Sequence, residues 1–246
     1  MNKKKFISKV NPLFLQGIAH RGLHNDKYTE NGLNAFKNAI DHNVAIELDI
    51  HLTKDQDLIV CHDENLLRTT GKEGIIEDLT VKEIKDNYRL LDGGEVPTFD
   101  EVLDLVNEQI PIVVELKVFR KNYKPLVKVA LNKLERIKDK RNIIIISFDP
   151  RALYRTKHKG FVNSLLVVKN NEPNYEWIYH LRGLFDSIDI EDVMLEQKRV
   201  RRYAKNHFVN VWTIQRDEQL EKVKSIVDTV TFQHLEVDKV RDALKK

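Results

Sequence analysis

Glu47 and Asp49 stand two residues apart in the stretch AIELDIHL, and Glu115 and Lys117 stand two apart in PIVVELK. Side chains alternate along a strand, so each pair leaves a single face. Ile46, Leu48 and Ile50 leave the other face, where helices can cover them. Three carboxylates brought together from neighbouring strands repel one another, and a hard divalent cation with oxygen ligands is the simplest offset. Glu47, Asp49 and Glu115 are therefore expected as ligands of one divalent cation, Mg2+ or Ca2+. A dication against three carboxylates leaves a local charge of about −1. Arg21 and Lys117 then bring it to about +1, which suits an anionic substrate such as a phosphodiester. His20 and His62 each end a short apolar run. Phosphodiester hydrolysis needs one group to take a proton from the nucleophile and one to give a proton to the leaving oxygen. Imidazole titrates near neutrality and can do either, so these two are the expected acid/base pair.

The elements that would hold these residues are short β-branched runs. They fall at 17–20, 45–52, 110–117, 142–147, 163–168, 184–188, 209–214 and 229–232, with helical periodicity between them at 33–41, 98–106 and 125–137. Asp149-Pro150 and Glu172-Pro173 read as helix starts. Strands alternating with helices predict a parallel sheet, and eight of them predict a closed (β/α)8 TIM barrel. A doubly wound open sheet fits less well, because no GxGxxG follows the first strand and the chain has nine glycines. Residues 51–97 are too many for one crossover helix and contain a strand-like run at 57–62. They read as a small insertion after the second barrel strand, within a single domain spanning 1–246. Catalytic groups of such a barrel gather at the C-terminal ends of its strands, where the candidate residues fall.

Other features weigh less. His51 shares the face of Glu47 and Asp49 but lies beyond them, at the insertion boundary. Cys61 neighbours His62 and points the opposite way, so it reads as a packed core thiol rather than a nucleophile. Ser147 either contacts substrate or caps the following helix. Trp212 is either a pocket wall or core.

The chain has 246 residues, 41% hydrophobic and 32% charged, with a formal net charge of +3. That composition predicts a globular fold with a sizeable core. The small net charge argues against nucleic acid as the main partner. The basic run at 198–202 lacks interleaved aromatics and reads as a solvated helix face. A single cysteine excludes a disulfide within the chain, which points to a reducing compartment and, by default, the cytoplasm. In the first 17 residues Lys9 and Pro12 interrupt the apolar run, so neither a signal peptide nor a membrane helix is expected.

The order of these residues resembles the glycerophosphodiester phosphodiesterase family. The matching stretches are IAHRGLHNDKYTENGLNAFKNAI, AIELDIHLTKDQDLIVCHDENLLRTTG, and VPTFDEVLDLV followed by PIVVELK, with IISFDP and VNVWTI looser. The resemblance implies a (β/α)8 barrel with an insertion after its second strand. It implies metal-dependent cleavage of a small-molecule glycerophosphodiester to glycerol 3-phosphate and an alcohol. Glu47, Asp49 and Glu115 would ligate the metal, His20 and His62 would exchange protons, and Arg21 and Lys117 would stabilise charge on phosphorus. Glu30 and Asn31 would brace the histidines. The implied route passes through a cyclic phosphate formed by the glycerol 2-hydroxyl, with His62 taking its proton and His20 protonating the leaving group. Two positions depart from the family pattern. Gly32 replaces a helix-capping Thr, a mild change. The last strand reads Thr231-Phe232-Gln233-His234-Leu235 where the family has Thr-Asp-x-Pro, and Phe232 is expected to make that rim more apolar. Two other functions compete: a lysophospholipase D-like or sphingomyelinase D-like lipid phosphodiesterase, and a non-catalytic barrel that binds a phosphodiester or a protein.

Overall fold

The computed structural model describes residues 1–168 and 178–245; the expected helix start at Glu172-Pro173 lies outside them. The strands are β1 (Ile18–Ala19), β2 (Ala45–Leu52), β3 (Leu58–Val60), β4 (Ile112–Leu116), β5 (Ile143–Ser147), β6 (Val162–Val167), β7 (Ser187–Glu191), β8 (Val209–Ile214) and β9 (Thr229–Phe232). All but β3 are parallel, and β1 pairs with both β2 and β9, so eight strands close into a barrel. β3 lies antiparallel against the far end of β2, Ile50 opposite Val60. The expected barrel and its insertion are both present.

Alternation assigns the faces. Ile46, Leu48 and Ile50 point outward into the main core with Val114, Leu116 and Leu165. Each such fully buried aliphatic side chain contributes about 1.5–3 kcal/mol. Every residue of β2 is buried, so its acidic face meets the barrel interior rather than solvent. The lower interior is filled by Ile18, Ala45, Val113, Ile144 and Val162, together with Phe6 and Phe14 from the N-terminal segment. Phe6 stacks on Phe208 at 3.9 Å, and Thr229 Oγ1 donates to the Phe14 carbonyl at 2.6 Å.

The helices begin where the sequence offers caps. Thr98 caps Phe99–Val106 in a reciprocal box with Glu101, and Asp149 caps Pro150–Thr156, with proline in its first turn. Gly32 caps Leu33–Asp41 without a side-chain bond. A Cβ there would lie 2.9 Å from the Thr29 carbonyl oxygen and 3.0 Å from Leu90, so the close approach explains the glycine. The basic run lies on Lys198–Asn206, whose Val200 and Ala204 are buried while the flanking cations are exposed, as a solvated helix face requires. The insertion has its own small core of Ile59, Cys61, Leu66, Ile76, Ile84, Tyr88, Leu90 and Val96.

Two expectations are corrected. The seventh strand begins at Ser187, not at 184, because Leu184 belongs to a 3-10 turn, Leu181–Leu184. Phe232 is not on the rim. It points outward, is 1% exposed and packs in the helix-facing core. Thr231 and Gln233, on either side of it, face the mouth.

Candidate active site

β2 and β4 bring three carboxylates together at the barrel mouth. Asp49 is the register partner of Glu115, and Glu47 lies one inward step below Asp49. Glu47, Asp49 and Glu115 are buried and each offers an oxygen within 4.8 Å of the others. Oxygens that share a Ca2+ at about 2.4 Å can lie up to about 4.8 Å apart, so the spacing fits one hard cation. Burial pushes Glu47 well above the usual carboxylate range, and the charges of Asp49 and Glu115 add to the push. Burial also raises Glu115, to about 7, against the pull of Lys117. Burial opposes ionisation of Asp49 too, but Lys117, His62 and Arg21 hold it below the ordinary range. Asp49 Oδ1 is buried and makes no hydrogen bond among the described residues, its nearest cation being Lys117. A donor set of three buried carboxylates, one with an oxygen that makes no hydrogen bond, fits a divalent cation.

Two cations border the triad. Lys117 Nζ lies 2.9 Å from Glu115 Oε1 and 3.4 Å from Asp49 Oδ1. Burial works against its charge, yet the two carboxylates keep it firmly protonated. Arg21 donates its backbone N–H to Glu47 at 3.0 Å and Nη1 to Glu30 at 2.8 Å, with Nε 3.5 Å from Asp49. Asn31 Nδ2 donates to Asp49 Oδ2 at 2.9 Å. Arg21 and Asn31 both adopt the left-handed region, φ 54° and 57°, a strained conformation for residues other than glycine.

The two histidines flank this cluster. His20 Nδ1 lies 2.7 Å from Gln233 Oε1 and its Nε2 lies 4.0 Å from Glu47 Oε2. A carbonyl-type oxygen at that distance calls for a proton on Nδ1, which leaves the Nε2 lone pair toward the triad. Burial, then the Arg21 charge, lowers His20 to about 4. His62 Nδ1 donates to Asp63 Oδ1 at 2.6 Å, since a carboxylate only accepts. Burial lowers His62 as well, with Asp49 pulling up and Lys117 and Arg21 pulling down. His20, Arg21, Glu47, His62, Glu115, Phe148, Asp189, Trp212 and Thr231 line one small cavity of about 90 Å3. A larger one of about 650 Å3 opens beside His62 and Lys117, walled by Val118, Phe119, Phe148 and Pro150.

Other candidates resolve differently. Ser147 Oγ donates to the Leu116 carbonyl at 2.8 Å and accepts the Asp149 N–H at 3.1 Å. It lines the larger cavity but ties β4 to the next loop, and the cap it was a candidate for is Asp149. Trp212 forms a cavity wall, edge-on to Phe148 at 5.8 Å, with its indole N–H unpaired among the described residues. Cys61 is buried in the insertion core, and burial pushes its thiol up to about 12, which rules out a ready thiolate.

His51 Nε2 lies 3.1 Å from the His62 carbonyl oxygen and braces that segment. Burial lowers it to about 4 from 6.5. Between those values the unfolded chain takes up a proton that the folded chain refuses, so stability falls as pH drops from 6.5 towards 4. The loss approaches about 3 kcal/mol. His51→Gln should therefore lose less Tm than the parent when pH is lowered from 7 to 5. An equal loss in both would show that His51 is not held neutral.

Residues not singled out from sequence complete the site. Gln233 holds His20. Asp63, Arg68 and Glu30 form a chain from His62 to Arg21, of which Glu30 alone was anticipated. The signal for Asp63 was its place beside His62; Arg68 stood only within a stretch matching the family and Gln233 only within the altered last strand, neither with a role. Across the barrel, Ser164 Oγ and Asn210 Nδ2 donate to buried Asp189, and Asn210 also reaches Thr231 at 2.8 Å.

Known proteins match this sequence and fold. The sequence profile of the glycerophosphoryl diester phosphodiesterase family matches residues 20–237. The chain is 34% identical over 148 residues to a glycerophosphodiester phosphodiesterase of Caldanaerobacter subterraneus subsp. tengcongensis, a stretch covering 57% of this chain and 60% of that protein. The match thus spans less than two thirds of that relative. A crystal structure of a glycerophosphodiester phosphodiesterase from Thermotoga maritima superimposes with a TM-score of 0.71 at 30% identity, covering 91% of this chain and 94% of that one. An Oleispira antarctica phosphodiesterase, solved with the product sn-glycerol-3-phosphate, has the same fold, with a TM-score of 0.79 at 21% identity over 98% of this chain and 99% of that one. With the profile running through almost the whole barrel, from His20 past the last strand, the chain belongs to the glycerophosphoryl diester phosphodiesterase family.

Proposed function

We propose that this protein hydrolyses glycerophosphodiesters to glycerol 3-phosphate and an alcohol, with His20 and His62 exchanging the protons. The observation that carries this reading is the pair of half-buried, easily deprotonated imidazoles on either side of the Glu47–Asp49–Glu115 cluster. The relatives' described activity and the product bound to the Oleispira enzyme support the substrate class. Glu47, Asp49 and Glu115 would hold one divalent cation, Mg2+ or Ca2+, which when bound supplies positive charge to the phosphoryl oxygens.

This chain's residues then do the following. Arg21 and Lys117 hold the anionic phosphodiester. The His62 Nε2 lone pair accepts the proton of the glycerol 2-hydroxyl as its oxygen attacks phosphorus, and Asp63 stabilises the imidazolium. The bond from phosphorus to the alcohol oxygen breaks, and protonated His20 gives that oxygen a proton. A five-membered cyclic phosphate remains. His20 takes a proton from water as water attacks phosphorus, the bond from phosphorus to the glycerol 2-oxygen breaks, His62 gives that oxygen its proton, and glycerol 3-phosphate leaves. Substrate charge beside Arg21 offsets part of what depresses His20, so its proton affinity rises in the complex.

A substrate panel tests this. Glycerol 3-phosphate should appear from glycerophosphocholine or a related diester with Mg2+ or Ca2+, and cease with chelator. If no diester is cleaved with either ion, the reading fails. The apolar wall of the larger cavity favours a lipid phosphodiester as a second reading, and lysophospholipid cleavage without glycerophosphodiester cleavage would install it.

A further inference from the structure

We infer that Arg68 is a positioning residue for this reaction, acting on His62 through Asp63 and on Arg21 through Glu30. The inference rests on the proposed role of His62 in proton exchange. It stands on one unbroken hydrogen-bonded chain. His62 Nδ1 donates to Asp63 Oδ1 at 2.6 Å. Asp63 Oδ2 accepts Arg68 Nε at 2.6 Å. Arg68 Nη1 and Nη2 reach both oxygens of Glu30 at 2.8 Å. Glu30 Oε1 accepts Arg21 Nη1 at 2.8 Å. Arg21 in turn lies beside Asp49.

The chain crosses from one structural unit to another. His62, Asp63 and Arg68 belong to the insertion, while Glu30 and Arg21 belong to the loop after β1. The main-chain route between the two runs through β2, but Arg68 joins them directly across the mouth. Its planar guanidinium satisfies two carboxylates at once, one through Nε and one through both terminal nitrogens. A lysine ammonium cannot reproduce that fork. Both carboxylates remain charged through the working range. Burial opposes ionisation of Glu30, but the Arg68 and Arg21 contacts hold it at about 2. Asp63 is likewise held at about 2 by Arg68 and His62 against its partial burial.

The chain fixes three things that the reaction needs. Asp63 keeps the proton of neutral His62 on Nδ1, so Nε2 faces substrate as a base. Arg68 fixes the angle of Asp63, and with it the ring plane of His62. Glu30 holds the Arg21 guanidinium over the triad rather than out in solvent. Arg68 itself does not line the cavity of the histidines and is 47% exposed. Exposed ion pairs contribute little to stability, so its loss should leave the fold intact while loosening the constellation.

Arg68→Gln, Arg68→Lys, Asp63→Asn and His62→Gln are compared with the parent for kcat, KM and the pH dependence of kcat/KM on glycerophosphocholine. Melting temperatures confirm folding. Arg68→Gln should lower kcat about 10- to 100-fold, the range seen when an orienting partner is removed, and KM should rise less. Arg68→Lys should not restore the parent rate. The acidic limb should move in opposite directions. Loss of the Arg68 cation leaves the Asp63 charge to His62 alone and shifts the limb to higher pH. Asp63→Asn removes that charge and shifts it to lower pH. A purely structural role for Arg68 would lower activity without these opposed shifts. The proposal falls if Arg68→Gln keeps kcat within twofold, if Arg68→Lys fully replaces Arg68, or if both limbs stay in place. If His62→Gln leaves the rate unchanged, it is the underlying assignment of His62 that fails, whatever Arg68 does.

Discussion

Glu47→Gln should lose about 10³-fold or more in turnover while keeping the barrel folded. Glutamine is isosteric and can still accept the Arg21 backbone N–H that Glu47 accepts at 3.0 Å. What it removes is one of three charges in a buried cluster. Burial and the neighbouring carboxylates already push Glu47 well above its ordinary range, so without a cation its charge works against folding. In chelator the variant should therefore melt no lower than the parent. Asp49→Asn should behave differently. Asp49 is held ionised by Lys117, His62 and Arg21, with Asn31 donating to it. Losing its charge weakens several buried contacts and should cost about 1–3 kcal/mol in addition to activity. Melting curves with and without Mg2+ or Ca2+ check the assignment independently of turnover. The parent should gain Tm with the cation, and Glu47→Gln should gain little. A variant that keeps more than a tenth of parental turnover would overturn the triad as a metal site.

His20→Ala and His62→Ala should each reduce kcat by about 10²- to 10⁴-fold on glycerophosphocholine. A change of leaving group separates the two. A p-nitrophenyl ester departs as an anion and needs no proton. With that substrate the His20→Ala defect should shrink sharply, and the His62→Ala defect should persist. The structure favours this division because the ring nitrogens have different partners. The Nδ1–H of His62 is backed by the Asp63 carboxylate, which stabilises the charge gained on accepting a proton. The partner of His20 is the uncharged amide of Gln233, and burial with Arg21 makes His20 a weak holder of its proton. The opposite pattern of rescue would exchange the two roles. Near-parental rates in both variants would show that neither histidine exchanges the protons of the reaction.

Much of this arrangement can be read in the sequence because strand geometry is periodic. Glu47, Asp49, Glu115 and Lys117 lie at spacings of two within apolar runs, and such spacing forces a shared face. The capping residues Thr98 and Asp149 likewise act within a few residues of their own helices. Phe232 shows the limit of reading by rim position. Applied strictly, the same period of two turns Thr231 inward and Phe232 outward against Gly17 and Val240. The apolar pair Leu184-Phe185 resembled a strand because hydrophobicity alone does not separate a short strand from a 3-10 turn. Arg68 and Gln233 were not legible because their importance lies in rotamers meeting across long sequence separations. Arg68 reaches Glu30 over 38 residues, and Gln233 reaches His20 over 213. No local pattern encodes such pairings.

The aromatic residues beneath the barrel bear on how its boundaries are drawn. Phe6 and Phe14 precede His20, where similarity to the family begins. They are tied in by Asn11, which donates its backbone N–H to the Arg141 carbonyl and its side chain to Asn142, and by Lys3, 3.0 Å from Asp228. A fragment trimmed to the recognisable span would leave the cylinder open at its base. Water entering from below would then reach Ser164, Asp189 and Asn210, whose hydrogen bonds depend on a dry interior. Excision and segment exchange among relatives should therefore carry the first sixteen residues with the strands they seal.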